Sequence, residues 1–452
     1  MNVRLMLILL CTSVFVGQAG AQSADQRIRM NLDQCLERAL MVSPDVEQAT
    51  LMVQRLEARR SEAKFAGIIP QLQWTNIFGP APGVKGDPNN IETIESDLSD
   101  IGIFSRTQID LVQPIYTWGK ISNAKKAAQY GVEAGEAGVV KKKSELVLQV
   151  KKTYFGLVLA KELREVVLEG QGNARKGRQQ INDLIEEGSD EVGQNDLLKL
   201  DVFEYEIKKN LARADKSIEM GKAAMMMTLN MDRNIGFDII PPQEEIEPAP
   251  LEVLAVYVNR ARAERADVKQ LRAGVMVRRS LLKISKSDYY PQIALVSSLQ
   301  WGIAPHRPNF NNPFLRDDFN FFRAGAVITL RQNFSFGLTK ARHATQKAEL
   351  AELFSKEDQA MNAIALQVER TYRDVIEANG NLVNSDRAMR SAKSWMTSSA
   401  IGFEITGDSA DLLNAYTAYS KMQNEYYQAV FSLKTTLAEL DHVTGVGVPD
   451  LP

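Results

Sequence analysis

The feature that most constrains this chain is that it repeats itself. Leu148-Gln149-Val150-Lys151-Lys152-Thr153-Tyr154 returns 218 residues later as Leu366-Gln367-Val368-Glu369-Arg370-Thr371-Tyr372, with five of seven positions identical. Other landmarks follow in the same order: Asp45-Val46 with Asp267-Val268, Pro70-Gln71-Leu72 with Pro291-Gln292-Ile293, Gly119 with Gly337, and Asp196-Leu197-Leu198 with Asp411-Leu412-Leu413. A repeat of this period is domain-sized, so two similar units must pack together. The expected division is 22–240 for the first unit and 251–452 for the second, joined by a Pro-rich linker at 241–250 that cannot continue a helix.

Each unit reads as helix, strand, loop, strand, very long helix, tight turn, helix. Around the repeated heptapeptide, Leu146, Val150, Tyr154, Leu157 and Val158 fall at helical spacing, as do Ile364, Val368, Tyr372, Val375 and Ile376. The spacing predicts proline-free long helices over about 120–187 and 339–405, each roughly 100 Å long at 1.5 Å per residue. Gly188 and Gly407 stand where these helices should stop. The shorter helical stretches before Pro70 and after Gly193, stacked end to end, match the length of one long helix and are expected to flank it.

Strands are expected at about 71–79 and 101–115, and again at about 291–302 and 321–334. Ile293, Leu295, Leu299 and Trp301 alternate with Gln292, Ser298 and Gln300, which gives one apolar and one polar face. Leu72, Trp74 and Phe78, then Ile103, Ile109 and Leu111, repeat the pattern more weakly. The segments Pro80 to Asp100 and Pro305 to Asn320 read as loops, and Trp74, Phe78, Tyr116, Trp118, Tyr289, Tyr290 and Trp301 gather towards the strand ends as an interfacial girdle would. Strands of about ten residues with these two faces match an outer-membrane barrel, Ile293, Leu295, Leu299 and Trp301 facing lipid and Gln292, Ser298 and Gln300 the lumen; the alternation alone also fits a small soluble sheet with one wet face. Four strands cannot close a spanning barrel, so the chain must pool strands with copies of itself: eight in a dimer, twelve in a trimer.

Composition removes several classes. Fifty-four basic against 56 acidic residues give a formal net charge of -2, which argues against nucleic acid as a partner. Three His and two Cys leave little for a transition-metal site, and no Ser/His/Asp or paired-carboxylate constellation falls on one site, so no catalytic residue, metal ligand or cofactor is assigned. Arg4, the apolar run Leu5 to Val16 and Ala19-Gly20-Ala21 form an expected signal peptide over 1–21. Its removal would leave Cys35 without a partner for an intrachain disulfide.

With these residues in place, the chain resembles the TolC-like outer-membrane efflux family over essentially its whole expected mature length. The resemblance is carried by the duplicated order of elements, Ile69-Pro70-Gln71-Leu72, Tyr290-Pro291-Gln292-Ile293, Gln113-Pro114-Ile115-Tyr116-Thr117-Trp118-Gly119 and the Gly407 to Ala415 turn. It implies a mainly α protein with a membrane β-barrel: a homotrimer with a twelve-stranded barrel in the outer membrane, prolonged by a periplasmic α-helical barrel. It also implies a passive exit duct of a tripartite efflux pump or type I secretion system, with a periplasmic adaptor and an inner-membrane transporter of the RND or ABC type as partners. The family's entrance ring carries over to Asp411, with Asp196 at the equivalent place in the first repeat, although capping and the helix dipole favour an Asp in a helix's first turn whatever the function; Asn414 is neutral where relatives carry a second Asp. Asn333 also replaces the second-repeat equivalent of Pro114, and the turn Gly188 to Asp196 is about four residues longer than its counterpart. The competing expectation is a periplasmic coiled-coil adaptor or structural protein of an export complex.

Overall fold

The computed structural model of the chain describes residues 28–447 except 88–90, 189–191, 243–245, 311–315 and 407. The expected signal peptide, Gly407 and part of the expected linker lie outside the described residues. The first half runs β1 (Ile28–Met30), α1 (Leu32–Val42), α2 (Pro44–Phe65), β2 (Gln71–Lys85), β3 (Glu95–Tyr116), α3 (Lys120–Glu186), α4 (Gln194–Thr228) and β4 (Phe237–Ile239). The second runs α5 (Leu254–Glu264), α6 (Ala266–Ser287), β5 (Gln292–Ile303), β6 (Phe321–Arg331), α7 (Phe336–Thr406) and α8 (Ser409–Thr444). No helix among the described residues is long and apolar enough to cross a membrane.

Local chemistry sets the helix ends. Asn31 caps α1 reciprocally: its side chain accepts from the Gln34 N–H at 2.9 Å, and Gln34 Oε1 accepts from the Asn31 N–H at 3.1 Å. Pro44 cannot continue α1, and its fixed φ suits the first position of α2. The second half breaks at the matching place without a proline. There Asp267 accepts from the Val268 N–H at 2.9 Å and takes Arg265 through two bonds of 3.0 and 2.7 Å, so side chains supply what the helix would have.

The repeated heptapeptides lie at the centres of two cores. Val150, Tyr154 and Leu157 of α3 are fully buried against Cys35, Met225, Leu229 and Phe237, while Val368 and Val375 of α7 are buried against Tyr257, Val268, Leu433 and Leu440. Ile376, on the edge of the second stripe, is exposed. Each repeated tyrosine also holds the chain that follows the first half: the Tyr154 hydroxyl donates to the Ile240 carbonyl and that of Tyr372 to the Glu252 carbonyl at 3.2 Å. The first core also holds a parallel pair of three-residue strands, β1 and β4, too short to show an alternation in the sequence. Helix α3 packs along α2 and α4 of its own half and α6 and α8 of the other, so the halves interlock.

The larger sheet is antiparallel in the order β2-β3-β5-β6. Its first hairpin is longer than the expected strands at 71–79 and 101–115. Pairing continues through Pro80↔Ile103 and Pro82↔Ile101 and, after a bulge at Pro82/Gly83, reaches Lys85↔Glu95. The prolines are tolerated because β2 is an edge strand: two residues apart, they turn the same side of the backbone outward, where no N–H is required. Pro114, in the interior strand β3, sits at a second bulge where Ile115 has no partner on β5. Strand β6 stops at Arg331, short of the expected 334, because Arg331 already faces Gln292, the first residue of β5.

Candidate functional site

Two places carry the expected functional residues: the turns between the long helices and their partners, and the two faces of the four-stranded sheet.

At the turns, α3 ends with Gly188 at φ 78°, and Val192 is buried beneath the start of α4. Asp196 Oδ2 accepts from the Gly193 N–H at 3.0 Å, which satisfies one free donor of α4. Its Oδ1 accepts from the Ser409 hydroxyl at 2.6 Å and from Lys199 at 3.0 Å. The Ser409 hydroxyl, then the Gly193 N–H and Lys199, hold the Asp196 carboxyl below the usual carboxylate range, against an opposing push from burial. Asp411 is bound differently. Its carboxylate accepts from the Ser399 hydroxyl of α7, while the cap of α8 is Asp408, which accepts from the Ala410 and Asp411 N–H groups at 3.1 Å each. The two aspartates therefore occupy equivalent positions in sequence but not equivalent roles. Under them Ile181, Leu200, Phe403 and Leu412 form an apolar floor shared by both turns. The sequence held a signal for Asp408, an Asp directly before an apolar helical run with an acid three residues on; Ser399 and Ser409 left none.

The sheet register assembles the separate alternations into continuous faces. Trp74, Ile109, Leu299 and Ala324 form one cross-strand row, and Leu72, Leu111, Ser297 and Ala326 the next. Ile293, Leu295 and Trp301 share this face with them, opposite Leu330, Ile328 and Phe322. On the other face Gln73, Asp110, Ser298 and Gly325 make one row and Thr75, Gln108, Gln300 and Arg323 another, with Gln292 further along. Within it Gln108 Nε2 donates to Asp110 Oδ2 at 2.6 Å and Gln300 Nε2 to the Ser298 hydroxyl at 3.2 Å. The apolar face is not uniform: Asn76 Oδ1 accepts from Ser105 and Thr107 hydroxyls at 3.1 and 3.2 Å, so its polar atoms pair among themselves. Where the strands meet the helices, Trp118 stacks on Tyr290 at 4.8 Å, meets Tyr116 edge-on at 5.0 Å and donates its indole N–H to the Pro291 carbonyl at 2.7 Å.

No family profile and no curated protein matches the chain. Solved structures do. The chain is similar to CusC, described as forming a transmembrane channel, with a TM-score of 0.75 and 14% identity over 93% of each chain. It is similar to the CmeC outer membrane channel of Campylobacter jejuni, with a TM-score of 0.73 and 15% identity over 98% of this chain and 94% of that one. It is also similar to the open state of the MtrE outer membrane channel of Neisseria gonorrhoeae, with a TM-score of 0.72 and 16% identity over 92% and 89%. With helices and strands matched along nearly the whole of each chain, the protein has the TolC-like fold of outer-membrane channels.

Proposed function

We propose that the chain is a passive outer-membrane exit duct of a tripartite efflux pump or type I secretion system, working as a homotrimer. Three four-stranded sheets close into a twelve-stranded barrel in outer-membrane lipid, and the long helices with their partners continue it as a periplasmic helical tunnel. A periplasmic adaptor and an inner-membrane transporter of the RND or ABC type deliver the cargo, small toxic compounds or polypeptides. On this reading Ile293, Leu295, Leu299 and Trp301 face lipid, Gln292, Ser298 and Gln300 face the lumen, and Asp196 and Asp411 surround the periplasmic entrance.

The observation that carries the reading is the sheet's two open edges. Among the described residues strands β2 and β6 each have a partner on one side only, and a sheet in lipid must pair both. Self-association that joins β2 of one copy to β6 of the next removes every edge at once. The test is the mass of the detergent-solubilised protein together with its strand content: three chains are expected, and a stable monomer with its strands intact overturns the reading.

A further inference from the structure

Residues 304–310 and 316–320, between β5 and β6, turn back over the sheet. A Cβ built on Gly102 of β3 would stand 2.1 Å from the His306 ring, and one on Gly302 of β5 would stand 2.3 Å from the Phe319 carbonyl oxygen. Only glycine permits either approach. Side chains alternate along a strand, so Gly102 opens on the face of Arg106, Gln108 and Asp110, and Gly302 on the face of Ser298 and Gln300. His306 and Phe319 therefore cover the polar face of the sheet at its loop end.

The covering is a built structure. His306 Nε2 donates to the Ala81 carbonyl at 2.9 Å, which ties the loop to the first hairpin. Arg307 donates to the Pro82 carbonyl and, at 3.1 Å, to Asp317 Oδ1, with its guanidinium 4.7 Å from the Phe319 ring centre. The side chains of this pair keep only 8% and 3% of their exposure, so removing either partner strands a buried charge. Asn320 closes the base, donating to the Ala304 and Arg307 carbonyls at 3.1 and 3.2 Å. Arg307 Nε and Asp317 Oδ2 have no hydrogen-bond partner among the described residues, so the latch is firm but incompletely satisfied.

We propose that residues 304–310 and 316–320 form an inward strap, latched by Arg307 and Asp317, that narrows the outer mouth of the pore and sets the size limit for solutes crossing it. This inference rests on the channel reading above, because only there does the polar face line a lumen.

The test measures access from outside. Cys35 is buried, with its thiol pushed up to about 11 by burial, so it should stay silent in a Ser298→Cys background. Intact cells are treated with a small membrane-impermeant thiosulfonate or with a bulky polyethylene-glycol maleimide. The small reagent is expected to label Ser298→Cys with the strap in place, and the bulky one to label it poorly. Adding Arg307→Ala with Asp317→Ala should raise bulky labelling about tenfold by widening the constriction. Gly102→Ala, which pushes on His306 from the strand and leaves the ion pair intact, should act in the same direction, so the outcome does not hang on the folding of one variant. Equal bulky labelling with and without these changes, in assembled protein that the small reagent labels, overturns the strap and leaves the channel reading standing. Failure of the small reagent to reach Ser298→Cys overturns the lumen assignment, and the strap with it.

Discussion

Ser409, at the start of α8, donates its hydroxyl to Asp196 of α4 at 2.6 Å, so the turn of one repeat is bonded to the turn of the other. Asp196 thus fixes the geometry of its own helix start and the approach of its neighbour. Asp411 does neither, since its carboxylate turns back to Ser399.

The stability of the two variants should differ accordingly. Asp196→Ala removes a helix cap and the bond between turns and should cost about 0.5–2 kcal/mol, whereas Asp411→Ala should cost less. The folded state lowers the Asp196 pKa, so its contribution is full above the ordinary carboxylate value of about 3.9 and fades as pH falls through the folded value. Thermal melts of both variants in a pH series read both effects; equal losses at neutral pH would contradict the assignment.

Ion selectivity separates the same residues by another measure. If three copies of each surround one axis, replacing both Asp196 and Asp411 by Ala should lower cation preference in planar bilayers and weaken block by multivalent cations. Asn414 leaves this ring weaker than a ring with a second Asp. An unchanged reversal potential in assembled protein would remove both residues from the entrance.

The faces of β5 predict an asymmetry in the cost of charge. Arg at Leu295 should cost about 2 to 4 kcal/mol if that residue lies at mid-bilayer, and Arg at Ser298 much less. Folding into lipid vesicles measured by denaturant titration gives both values, and equal costs would deny that the faces differ.

His442 should make the junction between the halves sensitive to acid. Its ring accepts or donates across a 2.8 Å contact with the Ser144 hydroxyl, and burial, followed by the nearby Arg265, holds its pKa below the ordinary value against Glu145 and Asp267. A depressed histidine pKa means that the unfolded chain takes up the proton first. Its share of stability is therefore intact above about pH 6.5 and is lost as pH falls through the folded value. His442→Gln should lessen the fall of the melting temperature as pH drops below about 6.5; a parallel decline in both proteins would exclude this histidine as the cause.

What the sequence made legible was whatever is periodic. The stripe through Val150, Tyr154 and Leu157 and its copy at Val368 and Val375 announce long helices because many turns repeat the same signal. The alternation from Gln292 to Trp301 announces a strand with two faces for the same reason. Pro80 and Pro82 misled, since a proline reads as a loop until it is known that its strand lies at a sheet edge. Asp196 and Asp411 look equivalent in sequence, and only the packing of α7 against α8 gives the second one a different partner. The fold of 304–310 and 316–320 over Gly102 and Gly302 joins residues from three strands, and no local pattern encodes such a meeting.

Strands β3 and β5 come from opposite halves of the chain, yet Thr107 pairs with Trp301 at the centre of the sheet. Helical contacts within each half are close in sequence and can form quickly, whereas this pairing must wait until two distant segments meet. If the chain assembles as proposed, the order of events in biogenesis follows: helical hairpins first, the β3–β5 seam next, and last the joining of separate chains, whose rate would depend on their concentration. Until that last step each newly made protomer would carry two strand edges unpaired among the described residues, and the cell would have to carry it through this aggregation-prone interval.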